Sequence, residues 1–304
     1  MMAPQNLREM NLILAVDGSE HSTAAARLVR ELPLSSESSI TVLAVLVPRD
    51  ASSHASLEDA LAEAKEILGG GKPAVRTELL TGYPAEQISE YAAKLVPDLI
   101  VLGAKGRRAT LGILLGGVVQ QIVEYADDPV LVVRAPFEGI QRILLVTDGS
   151  AHSRYAASYL GKFPIPDLAE VHVLHVLPPM PSPALIARSW PAGSETMAPV
   201  PSYETEEILT RQAEEEERNG QLLLAETAND LKNYGIDAKS VLLRGDAATE
   251  IIQYANEHQV NLIVAGSRGL SQMRRLLLGS LSRKLVHYAG CSVLIVKGGS
   301  HDVP

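Results

Sequence analysis

Hydrophobic residues in this chain gather in short, nearly unbroken runs separated by amphipathic stretches. In the first half the runs cover 11–17, 40–47, 74–80, 98–103 and 130–134, and they are rich in Ile, Val and Leu. Runs of this kind suit strands buried on both faces of a parallel sheet. Helical patterns lie between them, near 20–32, 55–69, 84–95 and 114–126. The second half repeats the alternation, with strands near 142–147, 170–177, 237–243, 261–266 and 292–297 and a long helix over 203–234. Strand alternating with helix implies right-handed crossovers and an open sheet with helices on both faces. The expected fold is α/β, Rossmann-like. It has two tandem open-sheet domains, each a five-stranded parallel sheet in the order 3-2-1-4-5.

The halves are copies. LILAVDGSEHS (12–22) matches RILLVTDGSAHS (142–153), ITVLAVLVP (40–48) matches EVHVLHVLP (170–178), and PVLVVR (129–134) matches SVLIVK (292–297). A repeat of this period has the size of a small domain, not of a solenoid unit. The expected domains are 1–138 and 139–304. One segment breaks the symmetry: Pro178 to Ser202 carries PPMPSP, Trp190-Pro191 and APVPS. Proline at that density resists helix and sheet. It reads as a surface insertion or as a lid or docking segment anchored by Trp190, the single tryptophan. Glu214 to Glu217, in the helix that follows, read as a solvated face, because four consecutive residues point all around a helix.

Composition narrows the class. The 304 residues suffice for two cores, 46% are hydrophobic and only 4% aromatic, so the cores are aliphatic. The net charge of −9 is spread over both halves, with 12 basic against 18 acidic residues in 1–139 and 15 against 18 in 140–304. That disfavours nonspecific nucleic-acid binding, which rests on neutralising phosphates. No apolar run is long enough to span a membrane, and the N-terminus does not read as a signal peptide. The single cysteine, Cys291, rules out an internal disulfide and fits a reducing, cytoplasmic setting. It reads as an inert core thiol or a redox sensor.

The candidate chemistry lies in the glycines. Gly266, Gly269 and Gly279 read G-x2-G-x9-G followed by Ser280; Gly103, Gly106 and Gly116 repeat the spacing followed by Gly117. Ligands of open α/β sheets bind beyond the carboxyl ends of the strands, at the switch point. There Asp148, after the first strand of the second half, would face the loop opened by Gly266. A helix beginning near Gly279-Ser280 offers free amides, and glycine lets a phosphate approach them. Arg268, Arg274, Arg275, Arg283 and Lys284 add a cationic stretch with no acidic residue among them. Turns made by glycine, with solvated cations, are the alternative. Both the Walker A loop and the Rossmann G-x-G-x-x-G after the first strand are absent.

These motifs, in order and twice over, resemble the universal stress protein family. GSRGLSQMRRLLLGS (266–280) fits that family's G-x2-G-x9-G-[ST] nucleotide pattern in full. The resemblance implies an adenine-nucleotide site in the second domain, for ATP (or ADP or AMP), with a divalent cation such as Mg accompanying ATP. Asp148, with Thr147 before it, and the backbone near Val176 would hold adenosine. Gly266, Ser267, Arg268 and Gly269 would line ribose and phosphates, and Gly279, Ser280 and Leu281 would bind phosphate oxygens. The corresponding first-domain residues are Asp17, Gly103, Gly106, Gly116 and Gly117. Gly117 lacks the hydroxyl of Ser280. A hydrogen bond to a charged group is worth about 1.5–3 kcal/mol, or about tenfold to a hundredfold in affinity. A weakened first site is expected. Similar proteins pair their last strands antiparallel, which predicts an intramolecular pseudo-dimer of the two halves and leaves further homodimerisation open. The implied function is a nucleotide-dependent stress-response regulator or sensor. The alternative is a slow ATPase or nucleotidyl-transfer enzyme of the same fold. No catalytic or metal residues are assigned: His21 and His152 sit where a helix start is capped or packed, His175 lies in a strand, and the transferase signature H-x-G-H is absent.

Overall fold

A computed structural model describes residues 8–49, 53–69, 73–107, 114–180, 203–269 and 278–298. Trp190, most of the proline-rich segment, Gly112, Arg274 and Arg275 lie outside the described residues. In the first half the strands are β1 (Asn11–Ala15), β2 (Ser39–Leu46), β3 (Ala74–Thr81), β4 (Leu99–Gly103) and β5 (Val130–Val133). The helices are α1 (Glu20–Glu31), α2 (His54–Leu68), α3 (Pro84–Leu95) and α4 (Gly117–Tyr125). The second half has β6 (Arg142–Val146), β7 (Glu170–Leu177), β8 (Ala238–Arg244), β9 (Leu262–Gly266) and β10 (Ser292–Val296). Its helices are α5 (Ala151–Lys162), α6 (Tyr203–Lys232), α7 (Ala247–Glu257) and α8 (Ser280–Tyr288).

All ten strands form one sheet, in the order β3-β2-β1-β4-β5-β10-β9-β6-β7-β8. Each half is the expected 3-2-1-4-5 parallel sheet. The halves meet where β5 and β10 pair antiparallel, with Val293 opposite Val132, Leu294 opposite Leu131 and Ile295 opposite Val130. Strands that would be exposed apolar edges in separate halves are thereby buried throughout. Strand side chains alternate between two aliphatic cores that run across both halves. Leu14, Leu131, Leu145 and Leu294 face one core; Ile13, Val132, Leu144 and Ile295 face the other.

Three details depart from the sequence reading. Helix α4 begins at Gly117 rather than at 114, because Gly116 is extended (φ −73°, ψ 146°) and serves as its N-cap. The match of Ile40 to Glu170 is one residue out of register. Leu12 pairs with Ile40 and its counterpart Ile143 pairs with Val171, so Ile40 corresponds to Val171 and Val45 to Val176. Finally, Glu214, Glu215 and Glu217 are exposed, but Glu216 meets Arg244 Nη1 at 2.6 Å and so tethers α6 to β8.

Candidate functional site at the switch points

In each half the switch point separates the first and fourth strands, β1 from β4 and β6 from β9. After β6 the chain turns through Gly149, whose φ of 75° suits glycine. Ser150 then caps α5: its Oγ accepts from Ser153 N at 3.2 Å, while Ser150 N donates to Asp148 Oδ1 at 3.0 Å. Asp148 is thus aimed before any ligand is considered. Across the crevice, β9 ends at Gly266, where a Cβ would stand 2.6 Å from the His152 carbonyl oxygen. A Cβ on Gly269 would stand 2.5 Å from Asp148 Oδ2. Glycine is therefore required at 266 for the loop to close on the backbone of α5, and glycine at 269 lets it close on the carboxylate without displacing it. The far side of the loop is fastened too. Gly279 N donates to Ser267 O at 2.7 Å, and Ser282 Oγ to Gly266 O at 2.7 Å. Helix α8 opens there with no side-chain cap. Its first-turn amides have no intrahelical acceptor and point out of the helix end.

The first half repeats this construction. Asp17 accepts from Ser19 N at 3.1 Å and from Arg107 N at 2.9 Å. A Cβ on Gly106 would lie 2.6 Å from Asp17 Oδ2, and one on Gly103 2.6 Å from Ser22 N. Gly116 N donates to Ala104 O at 2.9 Å, matching Gly279 and Ser267. Between these groups lies a cavity of about 530 Å³, with Asp17, Gly106 and Gly117 on one side and Val45, Pro84 and Ile88 among its apolar walls. A Cβ on Gly117 would meet nothing within 4 Å. The site has room for the missing serine.

The universal stress protein family model matches residues 10–134 and again 139–297. The chain belongs to the universal stress protein family. It is 32% identical to universal stress protein YxiE of Bacillus subtilis over 159 residues, which span 51% of this chain and 98% of that one. A universal stress protein of Mycolicibacterium smegmatis is 24% identical over 317 residues, covering 96% of this chain and 99% of the relative. Among solved structures, a universal stress protein of Archaeoglobus fulgidus shares the fold with a TM-score of 0.64 at 17% identity, covering 96% of this chain and 98% of its own. The family includes a member solved in complex with cAMP.

Within this universal stress protein the predicted residues separate into groups. Asp148, Gly266, Ser267, Gly269 and Gly279 converge, and Ser280 is exposed at the opening of α8. Thr147 is turned inward. Its N–H donates to Leu174 O at 3.0 Å, its carbonyl accepts from His175 Nδ1 at 2.8 Å, and its hydroxyl lies 3.3 Å from Ser153 Oγ. Leu281 is half-buried in the first turn of α8, and Val176 is half-buried at the end of β7. The cationic stretch disperses. Arg283 pairs with Glu124 at 2.9 Å and Lys284 lies 3.8 Å from Asp246, so tertiary acids answer cations that have none nearby in sequence. Arg268 is the one described member left on the loop. Sequence reading missed Val45, Pro84 and Ile88. Strand register would have revealed Val45 as the first-half counterpart of Val176.

Two of the histidines, His21 and His175, are held by backbone. His21 Nδ1 accepts from Ala135 N at 2.8 Å, and His175 Nδ1 donates to Thr147 O. Burial pushes the pKa of His21 and of His152 down, and the neighbouring Lys105 and Arg268 act in the same direction. The Cys291 thiol is pushed up to about 11 by burial, which disfavours the reactive thiolate.

Among the described residues no helix is long and apolar enough to cross a membrane.

Proposed function

We propose that this protein binds adenine nucleotide at the crevice of its second half, within 139–304, and acts as a nucleotide-dependent stress-response regulator. The observation that carries the reading is the closure of the 266–269 loop onto Asp148, with a Cβ on Gly269 only 2.5 Å from the carboxylate. Adenosine would lie between Asp148 and the end of β7 at Val176. Phosphates would lie against Gly269, Gly279 and the amides opening α8, with the hydroxyl of Ser280 as a further donor. Arg268 supplies positive charge on the loop. Among the described residues Asp148 is the carboxylate the loop closes on, already engaged by Ser150 N, and Mg²⁺ would travel on the nucleotide's phosphates rather than in a protein cage.

The first half, 1–138, would hold nucleotide more weakly. Its cavity lies within the usual range for small-molecule sites, about 300–1,000 Å³. Its phosphate end lacks one hydroxyl. The test is native mass spectrometry of the purified protein, followed by calorimetry with ATP, ADP, AMP and cAMP. One tight and one weak adenine nucleotide per chain are expected. Two equally tight sites would remove the distinction between the halves, and no binding of any of the four would sink the reading.

A further inference from the structure

The residue after the last strand of each half is a cation that crosses to the other half. Arg134 follows β5. Its Nη2 donates to Val286 O at 2.9 Å and to His287 O at 3.1 Å, and its Nη1 donates to Leu114 O at 3.1 Å. Val286 and His287 belong to the last turn of α8. Leu114 belongs to the segment entering Gly116 and Gly117. One guanidinium thus holds the first glycine loop and the far end of the helix whose near end is the second cradle. Lys297, after β10, mirrors the device: its Nζ donates to the carbonyl of Ala126, the C-cap of α4.

The chemistry suits the place. Carbonyls at a helix C-terminus carry negative partial charge and favour a cation. The planar fork of arginine can serve several carbonyls at once, whereas an ammonium is a point donor. Arg134 Nε is buried without a hydrogen-bond partner, and the guanidinium's hydrogen bonds run from Nη1 and Nη2 to these three carbonyls. Helix α8 has nine residues, so a shift at its C-terminal turn is carried to its first turn.

We infer that Arg134 is a positioning residue shared by the two cradles, so that ligand in the first changes the affinity of the second. This rests on the nucleotide reading above. Its test uses ATP calorimetry on the full chain with the first cradle blocked by Gly106→Ala. In the otherwise native chain the block shifts the second-site Kd by about fivefold or more, the usual lower range for coupled sites. With Arg134→Gln the shift disappears. Arg134→Lys keeps a buried cation at the helix end, guards against a folding defect, and also loses the shift because it cannot span both elements. An equal shift in the native and Arg134→Lys backgrounds, or no shift in the native chain, overturns the inference alone. Absence of ATP binding in the unmodified chain overturns the nucleotide reading as well, and that titration is read before any Arg134 variant.

Discussion

Gly269 stands so close to Asp148 that a Cβ would lie 2.5 Å from its Oδ2, well inside van der Waals contact. The carboxylate and the loop can keep their places only with glycine between them. Gly269→Ala must therefore displace Asp148 or open the loop. Nucleotide affinity at the second site is expected to fall by about tenfold or more, which corresponds to about 1.4 kcal/mol. Because Gly269 is exposed, thermal stability should change little. Calorimetry and a melting curve on the same preparation check both halves of the expectation.

Gly117 and Ser280 make the reciprocal pair. Space around Gly117 is open, so Gly117→Ser adds a hydroxyl without a clash. It should strengthen the first site by about tenfold to a hundredfold, the equivalent of one hydrogen bond to a charged group. Ser280→Ala should weaken the second site by a similar factor. If neither substitution moves its Kd, the hydroxyl does not touch the ligand.

The seam predicts cooperativity between halves. Leu131 and Leu294 face each other across β5 and β10 and are fully buried. Either change to Ala should cost about 2–5 kcal/mol in urea unfolding. The double variant should deviate from additivity by about 0.5–3 kcal/mol. Strict additivity would mean that the two side chains do not support each other.

Acid should destabilise the fold. Burial lowers the pKa of His21, His152 and His172. His172 packs against Tyr254, with its Nδ1 2.8 Å from the phenol oxygen. Glu170 opposes the shift, while Arg142, Lys239 and His258 reinforce it. A histidine whose folded pKa is depressed binds fewer protons in the native state than in the unfolded one. Stability is then fully present above the unfolded pKa, near 6.5, and is lost as pH falls toward the folded value. Urea midpoints should drop between pH 7.5 and 5.5, and less so in His172→Gln. Equal drops in both proteins would acquit His172.

Lys297 gives a second pH signature at the alkaline end. Burial pulls its pKa down to about 8, against the opposing pull of Asp127 and Asp128. Its charged form is therefore disfavoured in the fold, and stability should rise from pH 7.5 toward 9.5 as the ammonium deprotonates. Lys297→Met should flatten that rise. A steeper rise in the variant would mean that other groups dominate the alkaline limb.

Much of this protein could be read from its residues. The ten apolar runs marked the strands, the duplication gave two equal sheets, and the glycine spacing led to both switch points. Positions read less well where partners come from elsewhere in the chain. Arg283 and Lys284 read as part of a cationic stretch suited to an anionic ligand, but the fold brings Glu124 and Asp246 against them. Val45 escaped notice because apolar strands slide past one another in sequence without penalty, while hydrogen-bonded register allows one pairing. Arg134 read only as the end of a strand, since its acceptors Val286 and His287 lie more than 150 residues away.

By itself the sequence determined what each half is. Local patterning selects strand or helix, and glycines at a fixed spacing from one another after an apolar strand select a loop that backbone can close. Tertiary structure alone decided how the halves act on each other. Pairing β5 with β10 buries two apolar edges at once, and it brings Arg134 and Lys297 to helix ends in the opposite half. Those contacts join residues far apart in the chain, and their energy arises only when both sheets have formed.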